Sequence, residues 1–125
     1  MALDYVNELT ASFGVKNLDA AVRWYQTVLN FKLLYRIDEI GWCELSTFIP
    51  GISVGLSELE NVPVGGGATV VWGVNDIDAA KAHLDAHSVR QDGEIQVIPG
   101  MVKLITFYDP DGNTIMLSQS LMQQA

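Results

Sequence analysis

The stretch "GVKNLDAA" at residues 14–21 recurs as "GVNDIDAA" at residues 73–80, an offset of 59. Farther along, "PGISVGLS" at 50–57 is echoed by "DGNTIMLS" at 111–118, an offset of 61. Two separate matches at nearly one spacing make the chain a tandem of similar supersecondary units, each about 55–60 residues long. Whatever one half folds into, the other must resemble.

Local pattern supplies the order of elements inside a half. In the first, "ELTASFGV" reads as a short strand, followed by a helix from Asp19 to about Leu29 with Val22, Tyr25 and Leu29 as its apolar stripe and Asn30 as its stop. Three strands then follow, "FKLLYRI", "GWCELST" and "ISVGLSE", separated by the Gly- and Pro-bearing "DEIG" and "FIPG". The second half repeats the scheme with "ATVVWGV", a helix from about Asp76 to His87, and the strands "EIQVI", "MVKLITFY" and "TIMLSQS". The fold class is therefore α+β, with βαβββ occurring twice. The first module covers about residues 5–60, the glycine-rich 61–67 connects, and the second covers about 68–121. At 125 residues the whole is one domain by size.

Composition narrows the function classes. A net charge of −8, from 15 acidic against 7 scattered basic residues, repels phosphate backbones and anionic bilayers, so neither nucleic acid nor membrane is an expected partner. No apolar run reaches the roughly 20 residues a spanning helix needs, and "MALDYVNELT" lacks the features of a signal peptide. Cys43 is the only cysteine, which fits a reducing, cytoplasmic home.

Several stretches that look like motifs read as structure instead. "GGG" at 65–67 lacks the Lys-Ser/Thr of a phosphate loop and reads as a flexible connector. "DPDGN" at 109–113 has the flavour of a calcium loop, yet its twelfth position is Ser120 rather than a bidentate Glu, so it is a turn. His83 and His87 stand one helical turn apart without a third His or Cys nearby, and read as an exposed helix face rather than a zinc site. Cys43 reads as a strand residue, not a nucleophile.

The tandem, with "VKNLDAAVRWYQTVLNFKL" at 15–33 and "FYDPDGNTIML" at 107–117, resembles the vicinal oxygen chelate superfamily of glyoxalase I, bleomycin-resistance proteins, fosfomycin-resistance enzymes and extradiol dioxygenases. The resemblance rests on Trp24 and Tyr25 on the first helix, the exit Leu29-Asn30-Phe31 and the complete Asp-Pro-Asp-Gly-Asn turn. It implies a glyoxalase-like fold, with a curved mixed sheet and a concave cleft as the site, and homodimers by family habit. It also implies that metal-binding members take His, Glu or Gln ligands from the first and last strands of each module. The matching positions here are Thr10, Gly55, Thr69 and Met116. Thr is neutral, Gly offers no side-chain donor and Met is a soft thioether, so the set suits no hard or borderline cation. The expectation is no metal and no other cofactor.

Period-two alternation places Thr10, Ser12, Gly14, Ser53, Gly55, Ser57, Thr69, Val71, Gly73 and Met116 on the concave face, with Ala11, Phe13, Val70, Trp72, Val74, Ile115 and Leu117 against the helices. Trp42, Phe48 and Phe107 are expected to supply flat walls. Thr10, Ser12, Trp42, Ser53, Gly55, Thr69, Val71, Phe107 and Met116 thus form the candidate ligand-binding set for a small, moderately apolar organic molecule held between the halves. Glu44 is the weak catalytic candidate. If it points inward with Trp42 it is a general base or ligand anchor, and if outward a solvated surface charge. Two other functions stay open: a metal-dependent lyase, isomerase or dioxygenase with non-standard ligands, and a degenerate interaction subunit.

Overall fold

Each half of the chain solves the same problem, covering one face of a small twisted sheet with a single helix. The computed structural model describes residues 2, 4–65 and 68–122. It divides into two compact units, Met1–Pro63 and Val64–Ala125. Gly66 and Gly67 of the expected connector lie outside the described residues.

The first unit runs β1 (Leu9–Val15), α1 (Leu18–Val28), β2 (Lys32–Ile37), a 3-10 turn (Asp38–Ile40), β3 (Trp42–Ser46) and β4 (Ile52–Glu58). Its sheet has the order β1-β4-β3-β2, so the first and last strands are parallel neighbours and the rest are antiparallel. The second unit runs β5 (Val70–Gly73), α2 (Ile77–Ala86), β6 (Gln96–Ile98), β7 (Val102–Tyr108) and β8 (Thr114–Ser120), ordered β5-β8-β7-β6 with β5 and β8 parallel. The βαβββ order expected from the repeat is the order found, as two separate four-stranded mixed sheets.

The helices start where their caps dictate. Asn17 accepts from the Ala20 N–H at 2.9 Å and Asp76 from the Ala79 N–H at 3.1 Å, each cap being worth about 1 kcal/mol. A second acceptor arrives from the last strand of the same unit. Glu58 Oε2 takes the Leu18 N–H at 2.9 Å, and Gln119 Oε1 takes the Ile77 N–H at 2.8 Å. The two straps sit at equivalent points of the repeat. At its other end α1 is stopped by Asn30, which adopts the left-handed φ of 60° that Asn tolerates.

Alternation decides the cores. In the first unit Cys43, Leu45, Val54 and Leu56 face α1, whose Leu18, Ala21, Val22, Tyr25 and Val28 bury against them; Val28 is buried where Leu29 had been expected, and Leu29 is half-buried. The Tyr25 ring stacks with Phe13 and Phe31 and meets Trp24 edge-on. In the second unit Ile105, Phe107, Ile115 and Leu117 face α2, which buries Ile77 and Leu84. The "DPDGN" segment is a turn. The buried Asp109 carboxylate accepts from the Asp111 and Asn113 N–H groups and from Asn113 Nδ2, all at 2.9 Å, and Gly112 has φ +89°.

Candidate functional site

The face of the first sheet away from α1 carries three rows of in-register residues. Tyr35, Glu44, Gly55 and Ser12 form one; Lys32, Ser46, Ser53 and Thr10 a second; Ile37, Trp42, Ser57 and Gly14 a third. Small residues on β1 and β4 leave this face low, and larger side chains on β2 and β3 form a bank beside it. The register of β2 shifts between Leu33 and Tyr35, a bulge that places Leu34 out of the regular ladder.

A cavity of about 300 Å³ occupies one end of this face. Thr10, Ser46, Ser53 and Glu44 line it from the strands, Leu34 from the bulge, and Glu8 from the approach to β1. The β3–β4 loop closes it with Thr47, Ile49, Pro50 and Gly51, and Ile52 opens β4 beneath. That loop is built to hold its shape. Thr47 Oγ1 accepts from the Ile49 N–H at 3.1 Å and donates to the Ile52 carbonyl at 2.7 Å. Gly51 sits at φ +80°, and a Cβ there would run into the Asn7 carbonyl oxygen, so glycine is required. Thr10 and Ser53 share a hydroxyl hydrogen bond of 3.0 Å, which leaves lone pairs on both for a ligand.

Glu44 lies half-buried on the open face with Trp42, which resolves its orientation. The Trp42 Nε1–H donates to Tyr35 Oη at 3.2 Å, and the Tyr35 O–H donates to Glu44 Oε1 at 3.2 Å. One carboxylate oxygen is thereby oriented by protein and the other is left to the cavity. The benzo ring of Trp42 covers Gly55. A Cβ built at 55 would stand 2.5 Å from Cζ2 and closer still to Cη2, and Gly55 is buried although it lies on the open face.

The remaining expected positions fall in different places. Ser12 is exposed beside Gly55, in the same row but outside the cavity lining. Thr69 is exposed and precedes β5, which starts two residues later than the expected strand. Val71 is exposed and pairs in register with the half-buried Met116, itself opposite Thr106, on the face of the second sheet away from α2. Phe107 is a correction. It is fully buried and in register with Ile115, so it belongs to the α2 core and supplies no wall to a ligand. Among aromatic candidates Phe48 is 75% exposed in the β3–β4 loop.

Sequence reasoning did not select Tyr35, Leu34, Ser46, Ile49 or Glu8. The signal for Tyr35 was available in the hairpin register, because a turn over 38–41 sets residue 35 opposite Glu44. Leu34 had no comparable signal, since the bulge breaks the alternation that would locate it.

The donor set at the positions implied for a metal does not fit a divalent ion. Thr10 and Thr69 offer neutral hydroxyls, Met116 a thioether, and the place of a side chain at 55 is taken by the indole. Among the described residues no three His, Cys, Asp or Glu side chains gather as a metal cluster. On the opposite face of the sheet, burial pushes the Cys43 thiol above its ordinary pKa, and Arg36 bonds Asp19 and Asp38, holding the Asp19 carboxyl below the usual range. Neither feature borders the cavity.

A family model described as the Glyoxalase/Bleomycin resistance protein/Dioxygenase superfamily matches residues 3–117. Comparison with curated protein sequences returns no match. Among solved structures, TnmS3, an antibiotic binding protein from Streptomyces sp. CB03234, is 26% identical with a TM-score of 0.74, over 96% of this chain and 98% of its own. The genomically encoded fosfomycin resistance protein FosX from Listeria monocytogenes is 17% identical with a TM-score of 0.79, over 93% and 94%. A superfamily member from Sphaerobacter thermophilus DSM 20745 is 20% identical with a TM-score of 0.79, over 96% and 100%. The last two likenesses speak for the fold alone. Repeat, strand order and family model agree, and the chain belongs to the glyoxalase/bleomycin resistance protein/dioxygenase superfamily.

Proposed function

We propose that the chain binds a small, moderately apolar organic molecule bearing an ammonium or other N–H donor, without a metal, on the open face of its first sheet. The cavity walled by Glu44 carries this reading. A ligand entering it contacts Leu34, Ile49 and Ile52 with its apolar part and meets the Thr10, Ser46 and Ser53 hydroxyls with polar groups. It also strips water from Glu44. Tyr35 compensates one carboxylate oxygen, so a ligand lacking a donor would leave the other uncompensated, at a cost of the order of 1–3 kcal/mol. No Lys, Arg or His lines the cavity to supply that donor from the protein, and Glu8 adds a second negative charge. An anionic ligand is therefore disfavoured and a cationic one favoured. The kinship with TnmS3 points the same way in kind, towards binding of an antibiotic-like molecule.

The reading extends to a single domain with modules at about 5–60 and 68–121, acting as a cytoplasmic homodimer, which light scattering on the purified protein tests. Binding is tested by thermal melts of chelator-dialysed protein against amine-bearing aromatic antibiotics, with carboxylate-bearing compounds of similar size as controls. A hundredfold excess over Kd stabilises by about 2.7 kcal/mol, a rise on the order of 10 °C for a domain of this size. Glu44→Gln should weaken binding by about 10–100-fold, the worth of one charge-assisted hydrogen bond. Stabilisation by the carboxylates instead, or an absolute requirement for added metal, would overturn the proposal.

A further inference from the structure

The cavity stops at Glu44, and past it on the same face the space over Gly55 is filled by one side chain, Trp42. Its strand lining stops with Thr10, Ser53, Ser46 and Glu44, although the same low face continues past Ser12, Gly55 and Ser57. Nothing on β1 or β4 blocks the way, because these residues are small. The volume beyond the lining is filled from β3. The Trp42 benzo ring rests on Gly55, filling the volume that a side chain at 55 would occupy. It is held there by its own Nε1–H on Tyr35 Oη, and Tyr35 is held in turn by Glu44 in the cavity wall. An indole needs both supports to keep one position on a flat, small-residue surface. Packing against a glycine fixes its height, and the hydrogen bond fixes its rotation.

We infer that Trp42 is a specificity-determining plug that sets the upper length of the ligand, latched by Tyr35 and Glu44. The inference rests on the binding reading above. It adds that the trough is longer than the cavity, and that removing the indole opens room for about one further six-membered ring over Gly55 and Ser12. The latch shares Glu44 with the ligand, Tyr35 bonding one carboxylate oxygen and the ligand's donor the other. Loss of the Tyr35 hydroxyl should relax the length limit in the same direction as loss of the indole, and by less.

Titration calorimetry with benzylamine, 1-naphthylmethylamine and 9-anthracenylmethylamine tests this on wild type, Trp42→Phe, Trp42→Ala and Tyr35→Phe, each checked for native circular dichroism. The readout is the affinity for the anthracenyl amine divided by that for benzylamine. Trp42→Ala should raise the ratio at least tenfold over wild type, with Trp42→Phe and Tyr35→Phe in between. If Trp42→Ala does not fold, the Trp42→Phe and Tyr35→Phe ratios decide alone. Binding with one unchanged ratio across all proteins overturns the plug and leaves the binding reading standing. No binding of any amine to any of the proteins sinks both.

Discussion

Replacing Gly55 with alanine is a one-carbon change whose sign should depend on a residue thirteen positions away. A glycine in a strand at ordinary φ normally gains about 0.4–1 kcal/mol when replaced by alanine, because the unfolded chain loses freedom. Gly55 has no positive φ to protect, so the backbone raises no objection. The indole does. The new methyl group would overlap the Trp42 benzo ring, which cannot stay in place. Displacing it breaks the 3.2 Å Nε1–Tyr35 hydrogen bond, about 0.5–1.5 kcal/mol, and forces a strained rotamer at a similar cost. Set against the unfolded-state gain, the net loss in wild type is about 1–2 kcal/mol. In a Trp42→Ala background the overlap is gone and the same substitution should stabilise by about 0.5 kcal/mol. The expected coupling is about 2 kcal/mol, well above what residues without contact show. Urea unfolding of the four proteins at neutral pH, with equal m-values required, measures it. Additive effects, or an alanine that stabilises the wild type, would show that the indole does not rest on Gly55.

The second sheet offers a test of register. Met116→Arg sends its guanidinium off the face away from α2 and should cost about 1 kcal/mol, whereas Leu117→Arg strands a charge in the α2 core and should leave the protein insoluble or molten; the reverse result would place the register one residue off. Burial holds the Cys43 thiol protonated in the fold, so iodoacetamide at pH 8 should label it slowly until urea is added, and rapid native labelling would contradict its position behind the sheet. The same shift fixes a pH dependence: a thiol raised by folding contributes stability that is complete below its ordinary value of 9.0 and is lost as pH climbs through the higher folded value, which alkaline melts of wild type and Cys43→Ala would compare.

Elements were legible in this sequence because caps and alternation act locally. The strands over 52–58 and 114–120 begin and end where their patterns do, and Asn17 and Asp76 start their helices by bonding three residues ahead. The site was legible only in part. Thr10 and Ser53 follow from alternation, but the cavity around them depends on a bulge that shifts Leu34 and on a loop folded by Thr47. Trp42 was read as a wall for ligand, while its rotamer turns it onto Gly55 instead; no spacing encodes a rotamer. Phe107 was misplaced for a different reason. Its aromatic character suggested a stacking surface, yet its parity with Ile105 on β7 had already assigned it to the core. Where chemical character and periodicity disagreed, periodicity was the better guide.

The strap between Glu58 and the start of α1 joins residues 40 apart, and the parallel pairing of β1 with β4 spans a similar distance. Both have a consequence for vectorial synthesis. Among the described residues of the first unit β1 pairs with β4 alone, so while the ribosome is still making β2 and β3, β1 lacks that partner. At about 5–20 residues per second, roughly 2–8 s separate the appearance of Leu18 from that of Glu58. During that interval the nascent chain can complete the β2–β3 hairpin but neither the Glu58 strap on α1 nor the first sheet. A translational pause just before residue 52 would lengthen the life of a bare β1 edge, the form of this protein most open to capture by a holding chaperone or by a neighbouring nascent copy.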